Sequence, residues 1–131
     1  MYLLDTDTII YNLKGHALVK ANLEKHANDP IRITSITLME LYYGAYKSKK
    51  VAANVAKVRM IEKAVDIVTP GPETTEIFGM LKAQLEHKGE PLADLDLIIA
   101  ACALAHNLTL VTNNTQHFSR IPGLSLENWT A

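Results

Sequence analysis

One cysteine, Cys102, stands in the whole 131-residue chain, so no disulfide can form within it. Set inside an apolar run, it reads as a small core residue of a protein kept in a reducing cytoplasm. No apolar run reaches the length of a membrane span. Acids appear at once at the N-terminus, which lacks the charged, apolar, small-residue order of a signal peptide. There is no internal repeat, low-complexity segment or linker. Neither sign of charge dominates: 13 Lys and Arg face 14 Asp and Glu, a net charge of -1, so the whole-chain field does not announce a nucleic-acid binder. The five histidines show no paired spacing, and without a second cysteine they do not make a zinc site. His87 and His106 fall instead where helices should end, a favourable place for a cation.

What is present is a chain 48% hydrophobic, enough for one folded domain spanning 1–131. Tyr2 to Leu4 predicts a buried strand, and Thr8 to Leu13 a short helix stopping near Gly15. A weak helical pattern covers Ala17 to Ala27. Asp29-Pro30 marks a turn before the β-branched, alternating Ile31 to Thr34. Helices follow over Leu38 to Tyr46 and Val51 to Val65. Asp66 to Thr69 is a third strand, closed by Pro70-Gly71-Pro72. Thr74 to His87 predicts a helix ended by Gly89. Ala93 to His106, apolar nearly all round after its first turn, is expected to be a central buried helix. Leu108 to Thr112 and Leu124 to Leu126 complete the set as strands four and five. Such alternation predicts an α/β fold: three layers, with a central parallel sheet of four to five strands and helices on both faces. Ligands in these sheets bind beyond the carboxyl ends of the strands. Asp5 and Asp7 follow strand one, Ser35, Thr37 and Glu40 follow strand two, and Asn113 and Asn114 follow strand four.

Each carboxylate has a bland reading beside the functional one. Asp5 could cap a helix, but Thr6 or Asp7 could do so equally well, which leaves Asp5 without that role. Glu40 reads first as the far end of a capping box, Thr37-Leu38-Met39-Glu40. Asp94 and Asp96 open the buried helix, where one acid suffices for the dipole and the second, Asp96, is expected to be drawn inward. Taken together, Asp5, Glu40 and Asp96 converge on one cleft. Clustered carboxylates repel unless a cation offsets them, and oxygen donors of this kind suit Mg²⁺ or Mn²⁺. The basic run of Lys47, Lys49, Lys50, Lys57, Arg59 and Lys63 reads either as a solvated helix face or as a track for phosphates. The Tyr42-Tyr43-Tyr46 cluster reads as core or interface. The face of Leu41, Tyr42 and Tyr46 is where an amphipathic partner segment is expected to lie.

Four segments in order, LLDTDTII, ITSITLMELYYGA, DLDLIIAACALAHNLTLVTNN and HFSRIPGLSLENW, resemble the PIN-domain ribonucleases, and within them the VapC-type toxins of bacterial toxin–antitoxin pairs. The resemblance runs from end to end. It implies a Mg²⁺- or Mn²⁺-dependent endoribonuclease toxin. Such an enzyme hydrolyses structured RNA, transfer or ribosomal, by metal-activated water; it is homodimeric and restrained by a cognate antitoxin. Carried over, Asp5, Glu40 and Asp96 match the acidic triad, with Asp5 and Asp96 as metal ligands. Asp96 rather than Asp94 matches, because the motif places its acid shortly before Ile99-Ala100-Ala101. Asn114 takes the fourth catalytic position, where many relatives carry an acid; Asp7 becomes a supporting residue, and His117 has no role.

Two rivals belong to other classes. Asp5-Thr6-Asp7 also resembles the first motif of the haloacid-dehalogenase phosphatases, with Asp5 as nucleophile and Thr34 as the threonine after strand two. The other rival is a non-enzymatic interaction domain whose acids only cap helices.

Overall fold

The computed structural model describes all 131 residues. Five parallel strands form one sheet: β1 (Tyr2–Leu4), β2 (Ile31–Thr34), β3 (Asp66–Val68), β4 (Thr109–Val111) and β5 (Leu126–Glu127), in the order β3-β2-β1-β4-β5. The chain winds outward from β1 through β2 to β3, then crosses back to lay β4 on the other side of β1. The carboxyl end of β1 is therefore the switch point of the sheet.

Seven helices connect the strands: α1 (Thr6–Leu13), α2 (Ala17–Lys25), α3 (Ser35–Lys47), α4 (Val51–Ala64), α5 (Pro72–His87), α6 (Asp94–Ala105) and α7 (Thr115–Phe118). Successive strand residues feed opposite cores, as a two-residue period requires. Leu3, Val68 and Leu110 face a core with Leu81 and Leu85 of α5, Leu97 and Ile99 of α6, and Phe118. Leu4, Ile67 and Val111 face the other, with Ile9 of α1, Leu41 of α3, and Val55 and Val58 of α4. Cys102 is fully buried in the first core, where burial pushes its thiol pKa up. Trp129 closes the second; its ring stacks on His26, 5.0 Å between centroids, and pins the C-terminal tail against the start of the sheet.

The expected elements appear, with shifted edges. Helices α1 and α3 start two and three residues earlier than the patterns over Thr8 and Leu38 suggest, because β1 and β2 run into them without a loop. Strand β5 lies at Leu126–Glu127, later than Leu124 to Leu126, since Ser125 and Glu127 carbonyls accept from Leu110 and Thr112. The four-residue α7 has no periodic signal in the sequence; its first turn forms around Asn114, whose carbonyl accepts from His117 and Phe118. Helices α1 and α5 end where glycine was expected to end them, and Gly15 and Gly89 both adopt positive φ.

Candidate active site

Asp5 follows β1 directly. Its N–H donates to the Val111 carbonyl at 3.0 Å and extends the β1–β4 ladder by one residue. Its backbone is extended, and its side chain caps α1: Oδ1 accepts from the Thr8 N–H at 2.9 Å and the Thr8 hydroxyl at 2.8 Å. The expectation that Thr6 or Asp7 would cap, leaving Asp5 idle, is corrected. With no loop after β1, Asp5 is the last extended residue, and a cap must be extended. Asp5 is 6% exposed. Burial raises its pKa, against hydrogen bonds from Thr112 and Thr8 that lower it; Asp7 adds a smaller upward push.

Glu40 sits in the second turn of α3. The cap of that helix is Thr34, whose hydroxyl accepts from the Thr37 N–H at 2.9 Å. The Thr37–Glu40 capping box is thus a second correction, because Thr37 is already helical. Released from capping, Glu40 accepts through Oε1 from the Thr6 hydroxyl at 2.6 Å. Thr34 is wholly buried and committed to its cap, so it is not free to meet a substrate as the phosphatase rival requires.

Asp94 and Asp96 part company in the first turn of α6. The carboxylate of Asp94 pairs with Lys82 of α5 at 2.9 Å. The carboxylate of Asp96 is half-buried and faces the acids: burial, then Glu40, Asp5 and Asp7, raise its pKa, and His117 opposes them. No side chain caps α6, so its acids are not there merely as caps. Asn114, at the end of β4, is held through its N–H by the Thr112 hydroxyl at 3.0 Å, and its carboxamide does not cap α7.

The structure thus places Asp5, Glu40 and Asp96, from three elements, around one cleft at the switch point, with Asn114 on the same sheet edge. They are near enough to raise the Asp96 pKa, yet no three acidic, histidine or cysteine side chains are close enough to ligate one ion together. Carboxylate oxygens with no soft donors beside them are the chemistry that hard divalent ions take. Sequence reasoning missed Thr6, Thr8 and Thr112, which hold the acids in place, and the charge of His117, which lowers the Asp96 pKa. Single hydroxyls near a turn carry no pattern that marks such roles.

Two adjoining grooves, about 310 and 570 Å³, meet at Glu40 and also share Ile10 and Gly44. Leu13, Leu41 and Lys57 line the first, and Met39, Tyr43 and Leu95 the second. The expected face of Leu41, Tyr42 and Tyr46 is corrected accordingly. Leu41 is buried as floor, Tyr42 turns away to donate to Glu62, and Tyr43 is the aromatic beside the acids. The helical period puts residues 40, 43 and 44 on one side and residues 42 and 46 on another. Of the basic run, Lys57 reaches the first groove and Lys47 lies over the Tyr43 ring.

Comparison with known proteins gives the arrangement its context. Residues 2–124 match the PIN domain family. The chain is 43% identical over 131 residues to the ribonuclease VapC2 of Rickettsia felis, covering 98% of both. It is 36% identical over 131 residues to the tRNA(fMet)-specific endonuclease VapC of Salmonella typhimurium, covering 98% of this chain and 97% of that protein. The structure of VapBC2 from Rickettsia felis, bound to a DNA fragment from its promoter, superposes with a TM-score of 0.91 at 42% identity over 98% of each chain. DNA-bound VapBC from Salmonella typhimurium gives 0.91 at 34% identity, over 98% of this chain and 97% of that one. With its sheet order, its acids at the switch point and these full-length relatives, the chain belongs to the PIN-domain family and, within it, to the VapC ribonucleases.

Proposed function

We propose that this PIN domain is the toxin of a toxin–antitoxin pair, a Mg²⁺- or Mn²⁺-dependent endoribonuclease that hydrolyses structured RNA in the cytoplasm. The observation that carries the reading is the convergence of Asp5, Glu40 and Asp96 at the switch point of the sheet. Transfer RNA is the favoured class, since the Salmonella typhimurium relative is named for cutting tRNA(fMet). Ribosomal RNA is the other class the resemblance implies.

Asp5 and Asp96 are the residues to hold the ion, being the two acids whose pKa burial raises. A divalent ion held there would supply an activated water and offset charge on the phosphoryl group. Glu40 has one oxygen engaged by Thr6; the other takes the proton of the attacking water. Asn114, uncharged, hydrogen-bonds the RNA at the mouth of the cleft.

Solved relatives are VapBC complexes, and the two grooves are where a cognate antitoxin would lie on this chain. Gly44 lies where they meet, and a Cβ there would find nothing within 4 Å. A helix-interior glycine costs roughly 0.5–1 kcal/mol relative to alanine, and here it leaves room for a partner's side chain. An arginine from that partner would pair with the acids in place of the ion. The exposed Met39, Tyr43 and Leu95 suit further contact with the antitoxin or with a second copy of the chain. Induced expression tests the reading. Growth should stop, mapped RNA ends should cluster in structured RNA, and Asp96→Asn should relieve both. Growth arrest without RNA cleavage would overturn it.

A further inference from the structure

We propose that Thr6 is a positioning residue for Glu40, and that a polarised chain of three threonine hydroxyls holds the carboxylate in its working place. The proposal rests on the ribonuclease reading above and adds a residue to its machinery.

The chain follows from counting protons. The Thr6 hydroxyl lies 2.6 Å from Glu40 Oε1, at the short end of the O–H···O range, as a charged acceptor favours. A carboxylate only accepts, so the one proton of Thr6 is committed to it. The contact between Thr6 Oγ1 and Thr37 Oγ1, at 3.2 Å longer than the usual O–H···O bond, leaves Thr37 as its only available donor. That commits the proton of Thr37, so the 3.3 Å contact between Thr34 and Thr37 is donated by Thr34. The Thr34 oxygen in turn accepts the Thr37 N–H at 2.9 Å. Every O–H therefore points the same way and the chain ends on Glu40. Hydrogen bonds aligned in this manner polarise one another.

The anchorage is stiff. Thr34 is the last residue of β2 and Thr37 is in the first turn of α3; both are 0% exposed. Glu40 alone is a long, flexible side chain, and Lys14 and Lys57 line the same groove. Without the Thr6 bond, either lysine would compete for the carboxylate and draw it away from Asp96. Thr6 does not need to touch the RNA. It acts through Glu40, so its loss belongs in kcat rather than in substrate binding.

The experiment compares Thr6→Val, which keeps the β-branch but not the donor, with Thr6→Ser, which keeps the donor. Thr6→Val should lower kcat by about 10–100-fold, up to the low end of what a positioned general base contributes. Its KM should stay within about two-fold, and Thr6→Ser should keep kcat within about three-fold. Calorimetric Mn²⁺ binding should change by less than about three-fold in either variant, because Asp5 and Asp96 hold the ion. A readout independent of turnover is the ¹³C resonance of the Glu40 side-chain carboxyl, assigned by its loss in Glu40→Gln. It should move in Thr6→Val and stay in Thr6→Ser. An unmoved resonance with wild-type kcat in Thr6→Val would overturn the proposal. So would equal losses in Thr6→Ser and Thr6→Val, which would make the methyl group the cause. If the wild-type chain cleaved no RNA, the ribonuclease reading would fail, while the resonance would still decide whether Thr6 holds Glu40.

Discussion

Asp94 pairs with Lys82 at 2.9 Å on the outside of α6, while Asp96, two residues later, faces Asp5 and Glu40 in the cleft. Two acids in one helical turn thus have separate roles. The exposed pair is worth little, since solvent screens it and Lys82 is itself flexible. Asp94→Asn should accordingly change RNA cleavage by less than about three-fold. Asp5→Asn, Glu40→Gln and Asp96→Asn should each lower it by more than about 100-fold, beyond the range of outer-shell changes. The three losses should not add, because the acids work as a unit. Initial rates on a defined RNA, with circular dichroism to confirm the fold, check this; loss at Asp94 and none at Asp96 would reverse the assignment.

Asp5 has two roles that substitution can separate. Asp5→Asn keeps a side-chain oxygen for Thr8 and so keeps the cap. Asp5→Ala removes it, costing about 1 kcal/mol and leaving the Thr8 N–H without its acceptor, while the Thr8 hydroxyl keeps the Val111 carbonyl. Both variants should be inactive, but only Asp5→Ala should show a lower urea midpoint with an unchanged slope.

The raised pKa values fix a pH dependence. Asp5 and Asp96 both bind protons more tightly in the folded chain than in the unfolded one, chiefly through burial. Their contribution therefore favours the fold below the ordinary carboxylate pKa of 3.8 and declines as pH rises through the elevated folded values. In the absence of divalent ions, Asp96→Asn should raise Tm at pH 7. The difference should vanish near pH 4. Mg²⁺ should raise the wild-type Tm, by about 2.7 kcal/mol of stabilisation at a hundred times its Kd, and leave the variant nearly unmoved. Scanning calorimetry at both pH values, with and without the ion, would show a lower Tm for Asp96→Asn if the linkage were wrong.

The chemistry of the ends reports the nucleophile. Attack by water leaves a 5′-phosphate and a 3′-hydroxyl, whereas attack by the RNA's own 2′-hydroxyl leaves a 2′,3′-cyclic phosphate. Water is the expected nucleophile here, because the acids converge and His117 alone of the histidines acts on them, while His16 caps α2, His87 ends α5 and His106 follows α6. Activity should vanish in EDTA, return with Mg²⁺ or Mn²⁺, and rise from acid towards neutral pH as protons leave the carboxylates. Calcium should support little turnover, since its larger shell positions water poorly. End-group analysis of cleaved oligonucleotides decides the matter, and cyclic ends would sink the mechanism.

Much of this protein was legible in one dimension. Buried runs of three or four β-branched and leucine residues alternate with helical patterns, and that order implies a parallel sheet with two cores. The PIN motifs place Asp5, Glu40 and Asp96 in order, and topology alone carries Asp5 and Glu40 to the same edge of the sheet. Gly15 and Gly89 mark helix ends because few other residues adopt positive φ.

Tertiary structure decided what local pattern left degenerate. Asp5, Thr6 and Asp7 are comparable caps on paper; the absence of a loop after β1 selects Asp5. The sequence pattern starts α3 at a Thr37 capping box, and only the direct passage from β2 selects Thr34 as the cap and frees Glu40. Lys82, supplied by a neighbouring helix, turns Asp94 outward. Thr6 meets Glu40 across 34 positions of sequence, a contact that no spacing rule contains. The periodicity of a helix says which residues share a face. What that face meets depends on how the layers pack, and the caps and hydroxyl contacts of the active site are set there.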